Sequence, residues 1–228
     1  MPYPSLKTLF LATSFTVITA LSWAHVPYFE RHDFTMEKPY KVTFSIEQSL
    51  AIYAWLGNNT PGTSADVDIL AFELNSPANV YLEVIVPVCP GYEEFRPWIA
   101  LAGPGLPEPK TPLPFDIPAE YGIKVIPDVN TGKSRDAFYE IFGDKNYYYG
   151  PVYDEYLSLP GSYYVFIWEP HGKGGDYVAV VGKKEIWRFE DIMRAIRNTP
   201  LIRLDQELHV DCSTPQMENW WELGPATR

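Results

Sequence analysis

The sequence predicts an all-β fold, an antiparallel β-sandwich or jelly-roll closed by a short C-terminal helix and an irregular tail. Short apolar runs recur along the chain. The 22 prolines and 15 glycines fall between them as turn and loop signals. A helical period appears only after residue 183.

The first strand is read from Val42, Phe44 and Ile46, which alternate with Lys41, Thr43 and Ser45 as a strand with one buried face does. Runs at 50–56, 67–73, 80–86, 98–102, 122–126, 163–168 and 177–181 continue the series. The connections 87–97 and 103–118 are rich in proline, so they are expected to run over the surface in extended conformation. Segment 138–156 is expected to be an aromatic connection closing one end of the sandwich. Ile186, Phe189, Met193 and Ile196 lie at i, i+3, i+7 and i+10, one stripe of a helix expected to pack on the sandwich and to stop at Asn198-Thr199-Pro200.

Residues 1–24 read as an export signal: Lys7, an apolar stretch from Leu9 to Leu21, and a small-x-small site at Ser22-Trp23-Ala24. The expected organisation is therefore a signal at 1–24, one sandwich domain at 25–182, and a helix and tail at 183–228. A secreted or periplasmic chain with no transmembrane span follows, because no second apolar run of about 18 residues occurs. The chain carries 18 Lys+Arg against 29 Asp+Glu, or 17 − 29 = −12 once Lys7 is removed. That balance excludes a phosphate-tracking nucleic-acid binder. Cys89 and Cys212 could pair in an oxidising compartment, tying the tail to the body. Neither belongs to a closely spaced zinc-ligand pair.

Three ordered blocks resemble the bacterial pre-peptidase C-terminal domain, a secreted β-sandwich. They are Ala65-Asp66-Val67-Asp68-Ile69-Leu70-Ala71-Phe72-Glu73-Leu74, then Pro97-Trp98-Ile99-Ala100-Leu101-Ala102-Gly103-Pro104-Gly105, and finally Leu159-Pro160-Gly161-Ser162-Tyr163-Tyr164-Val165 with Gly175-Asp176-Tyr177-Val178. The resemblance spans about residues 40–182. It implies a free-standing module without catalysis, and some members of that family bind calcium.

The candidate chemistry is sparse. Asp66 and Asp68, two apart at a strand start, would point the same way, and with Asp176 or Glu73 and backbone carbonyls they could hold calcium. As the mature N-terminus, His25 could chelate copper through its amine and imidazole, with His32, His171 or His209 completing the site of a copper oxygenase or chaperone. No Gly-x-Ser-x-Gly elbow occurs, and Glu93-Glu94, Glu140 and Asp154-Glu155 read as solvated carboxylates. Binding is the expected function, through a surface of Phe138, Tyr139, Tyr147, Tyr148, Tyr149 and Tyr153 that suits a glycan or a protein partner in an envelope or extracellular assembly. Asn58-Asn59-Thr60 is an N-glycosylation sequon in an expected loop.

Overall fold

The computed structural model describes residues 25–59, 65–129, 135–210 and 212. The export-signal reading, Thr60 of the sequon and the tail pair Trp220-Trp221 lie outside the described residues.

The molecule is a β-sandwich. Its strands are β1 (Val26–Phe29), β2 (Tyr40–Val42), β3 (Leu50–Leu56), β4 (Val67–Leu74), β5 (Ala78–Pro87), β6 (Trp98–Gly103), β7 (Gly122–Ile126), β8 (Ala137–Glu140), β9 (Lys145–Leu157), β10 (Gly161–Trp168) and β11 (Gly175–Val181), followed by helix α1 (Phe189–Arg203). One sheet has the order β1-β3-β11-β5-β9-β8 and the other β2-β4-β10-β6-β7. Most pairs are antiparallel, but β1 joins β3 and β2 joins β4 in parallel.

Alternation along the strands divides the apolar side chains between an inner and an outer set. Leu50, Ile52, Ala54 and Leu56 of β3 meet Leu70, Phe72 and Leu74 of β4 between the sheets. The intervening Ala51 and Tyr53 belong to a second cluster with Ile85, Phe138, Tyr147, Val178 and Val180, on the outer face of the six-stranded sheet. A third cluster, Ile69, Ala100, Ala102 and Phe166, covers the outer face of the five-stranded sheet. There the proline-rich connection after β6 lays Leu113, Phe115 and Ile117 over the strands, with Phe115 stacked on Phe166 at 4.3 Å between centroids. Coverage on both sides explains why β3 and β11 read as nearly continuous apolar runs.

Three expectations need correction. The run from Val42 to Ile46 is a strand only through Val42, and Phe44 is exposed. Segment 138–156 is no end cap: it supplies most of the β8–β9 hairpin, and β9 pairs along nearly all of β5. Its register shifts between Glu83 and Ile85, where Gly150 crosses Val84. A Cβ on Gly150 would lie 2.3 Å from the Val84 carbonyl oxygen, so only glycine fits this bulge. The bulge also reverses the facing of the strand, leaving Tyr147 and Tyr149 on the outer face and Tyr153 between the sheets.

The third correction concerns α1, which continues through Pro200 to Arg203. Proline removes a backbone donor and crowds the preceding turn. Tertiary anchors on both sides hold the helix regardless. Asn198 Nδ2 donates to the Pro27 carbonyl at 3.0 Å, Ile202 is fully buried in the second cluster, and Arg203 Nε donates to the Phe142 carbonyl at 2.9 Å. The stripe expected to pack inward faces outward instead: Phe189, Met193 and Ile196 are exposed, and Asp191, Ala195, Asn198 and Ile202 are buried.

Candidate functional site

Two places in the sandwich concentrate chemistry. The first is a cavity of about 430 Å³ on the outer face of the six-stranded sheet. Ala51, Ile85, Val178 and Val180 floor it, because the outward positions of β3, β5 and β11 are apolar. Tyr53, Tyr81, Phe138, Tyr147 and Tyr149 supply aromatic walls. Phe138 of β8 stacks on Tyr149 of β9 at 4.5 Å, a pair set by the hairpin.

Charged groups stand at the cavity margin. Tyr81 donates to Glu83 Oε2 at 2.6 Å, and the Lys183 ammonium lies 4.1 Å from the Tyr81 ring centroid. Glu140 is used locally: its carboxylate accepts from the Phe142 and Gly143 amides at 2.8 and 2.6 Å, while burial raises its pKa. Burial likewise pushes the Tyr53 and Tyr147 phenols up, so both stay protonated. An apolar floor with flat aromatic walls and a polar margin is the composition of a small-ligand site, and its volume lies in the usual range for one.

The aromatic surface expected from the sequence is thus divided. Phe138, Tyr147 and Tyr149 line the cavity, with Tyr147 only 2% exposed. Tyr148 and Tyr153 pack against the inter-sheet core, and Tyr139 donates to Asp144. Tyr53 and Tyr81 escaped notice because each sits in a run read simply as a strand.

The second place is the far end of β3, where the chain leaving β1 crosses to β4. Glu30 follows β1, and its Oε2 accepts from the Trp55 amide at 3.0 Å. Phe34 is buried, and its carbonyl accepts from the Ile69 amide at 2.6 Å, which carries Asp33 beside Asp68. Carboxylate oxygens of Glu30, Asp33 and Asp68 all lie within 4.8 Å of one another. Asp68 Oδ2 accepts from the Tyr177 hydroxyl at 2.6 Å. Its Oδ1 is buried with no hydrogen-bond partner.

This arrangement is electrostatically costly while ionised. Burial, then the neighbouring Glu30 charge, raises Asp68 to about 8 despite the Tyr177 bond. Burial also raises Glu30 to about 7, against the Trp55 bond, with Asp33 and Asp66 adding to the rise. Oxygens about 2.4 Å from a calcium ion stand up to about 4.8 Å apart, so these three carboxylates could share one such ion.

The calcium residues expected from the sequence are only partly gathered. Asp68 is central. Asp66 lies near enough to act on the other carboxylates, yet its Oδ2 accepts from the Gly57 amide at 2.5 Å, closing the β3–β4 connection. Asp176 is held elsewhere, accepting from the Tyr92 hydroxyl at 2.7 Å and the His209 amide at 3.0 Å. Glu73 accepts from Ser162 near the other end of β4.

His25 stands at the opposite end of β3. Its Nδ1 lies 2.5 Å from Ser49 Oγ, and burial lowers its pKa to about 4. His32 packs on Phe34, His209 on Trp55, and His171 lies in the turn whose Gly172 carbonyl receives the Asn59 amide. At roughly 3.3 Å per strand residue the length of β3 separates them from His25 by about 20 Å, so no second imidazole meets it.

No protein-family model matches the chain, and no curated protein does.

Proposed function

We propose that this chain is an exported, non-catalytic binding module that receives a glycan in the outer-sheet cavity. The observation that carries the reading is the cavity itself, a concave site with an apolar floor, the stacked Phe138–Tyr149 wall, and Glu83 and Lys183 at its margin. A sugar ring offers an apolar face for such a wall and hydroxyls for such a margin. Concavity favours this ligand over a flat protein partner. The export reading of residues 1–24 supports the compartment, and the blocks resembling the pre-peptidase C-terminal domain fall on β4, β6, β10 and β11. A glycan array followed by titration calorimetry tests the proposal. Tyr149→Ala and Glu83→Gln should each weaken the best glycan about tenfold or more while the melting temperature holds. Absence of affinity for every glycan would overturn it in favour of a protein partner.

A second reading rests on the buried, unpartnered Oδ1 of Asp68. Glu30, Asp33 and Asp68 would hold one calcium ion, which would supply positive charge and bond to oxygens now facing each other. This makes the module calcium-stabilised, and it fits hard oxygen donors better than copper at His25. Calorimetry of the chelator-treated protein should show one calcium per chain, and Asp68→Asn should abolish binding. Binding that persists in Asp68→Asn, or none in the wild type, would sink the idea.

A further inference from the structure

Helix α1 presents its apolar stripe to solvent. Phe189, Met193 and Ile196 are 79%, 50% and 56% exposed, and Pro200 is exposed with them. At about 100° per residue these four positions fall within roughly 60° of helical arc. Asp191 and Asn198 lie on the opposite, buried side.

That orientation is locked by specific bonds. Gln48 Nε2 donates to Asp191 Oδ2 at 2.9 Å and Asn198 Nδ2 donates to the Pro27 carbonyl, while Arg188 Nε, at the helix's own N-cap, donates to the same Asp191 oxygen at 2.9 Å. Burial alone would raise the pKa of Asp191, but the bonds from Arg188 and Gln48 bring it below the usual carboxylate range. Rotating α1 to bury its stripe would break the bonds to Gln48 and Pro27 and move the buried Asp191 carboxylate off Gln48. The stripe is therefore a standing outer surface.

Further exposed apolar groups adjoin both ends of the helix. Phe44 lies under the Arg188 guanidinium at 4.8 Å, and the Ile141 carbonyl accepts from Arg203. Two exposed arginines, Arg197 and Arg203, flank the ridge in a chain of net charge −11, while Arg188 is paired with Glu190 and Asp191 and Arg194 stacks inward on Tyr28. A second copy of the chain would bring these arginines against their equivalents, which disfavours a symmetric contact. A protruding apolar ridge edged by arginines matches a plane of acyl chains beneath anionic headgroups. The helix has 15 residues, about 22 Å long, so it would lie along such a surface; no helix among the described residues is long and apolar enough to cross a membrane.

We infer that α1 docks this protein on an anionic lipid surface, with Phe189, Met193 and Ile196 entering the interface and Arg197 and Arg203 meeting the headgroups. The inference is independent of what the cavity binds. Flotation of the mature, disulfide-intact chain with vesicles of phosphatidylglycerol and phosphatidylcholine in equal parts, and of phosphatidylcholine alone, is the test. Wild type should float with the anionic vesicles, less so at 0.5 M than at 0.05 M salt as about 4 Å of screening length replaces about 14 Å. Phe189→Ser/Met193→Ser/Ile196→Ser should lose about tenfold or more of the bound fraction, and Arg197→Glu should lose binding in low salt. These positions are exposed, so an unchanged melting temperature shows that the variants fold. Wild type that stays unbound, a triple variant that still floats, or equal binding to both vesicle types would overturn the inference. Unbound wild type whose native mass falls from dimer to monomer in the triple variant would reassign the ridge to a protein contact.

Discussion

Asp68 sets the electrostatics at the far end of β3. Removing it from water costs free energy, one bond from Tyr177 offsets part of that cost, and Glu30 and Asp33 add like charge. The folded state therefore favours a proton. Glu30 rises from 4.5 to about 7 and Asp68 from 3.8 to about 8. Because both folded values are raised, the stability linked to these protons is full below about pH 4 and is lost as pH rises through 7 and 8. Between pH 5.5 and 8 the Asp68 proton alone accounts for about 3 kcal/mol, with nothing counted for the partly exposed Glu30, or about 6–12 °C in melting temperature for a domain of this size. Chelator-treated protein should melt lower at pH 8.5 than at pH 5.5, and saturating calcium should remove most of the difference. Burial also raises Glu140, Glu169 and Glu207. The decisive measurement is thus the slope against pH, which Asp68→Asn should flatten in the metal-free protein; an unchanged slope would dissociate this cluster from the pH response.

Secondary structure was legible where periodicity and environment agree. β3, β4, β5, β6, β7, β10 and β11 stand where short apolar runs predict strands, since both sheet faces are covered and burial follows sequence directly. The β8–β9 hairpin was hidden because aromatics occupy both faces and the Gly150 bulge interrupts the alternation. Amphipathicity located α1 but could not orient it. A stripe shows that one face is apolar, and only the bonds from Gln48 and to Pro27 show that the other face is buried. The carboxylate site was half legible for a related reason. Asp66 and Asp68 declare themselves by spacing, whereas Glu30 and Asp33 arrive through the parallel pairing of β1 with β3 and the Phe34–Ile69 bond. Long-range pairing of that kind leaves no local pattern to read.

The whole molecule is closed by the Cys89–Cys212 disulfide, whose Cα atoms lie 4.8 Å apart across a sequence separation of 123. It fixes the segment after α1 against the β5 end of the sandwich, near contacts that the same segment makes elsewhere. His209 packs on Trp55 and bonds Asp176, and Glu207 accepts from Lys145 at 2.7 Å. These contacts differ in strength: His209 is half exposed, whereas the Glu207 carboxylate is buried beside Lys145. The crosslink acts differently, by restricting the unfolded chain, and the loop-closure relation gives about 4–5 kcal/mol for a loop of this length. Native strain and residual unfolded structure reduce that figure, so Cys89→Ala/Cys212→Ala should melt about 5–15 °C lower than the oxidised wild type. Limited proteolysis should locate the new weakness, with cleavage within 204–212 preceding any cut in the strands. Wild type with and without reductant should reproduce the same difference, because only the unfolded-state constraint changes. Equal melting temperatures for both forms would show that Trp55, Asp176 and Lys145 hold the segment unaided, and that the covalent tie is not what closes the sandwich.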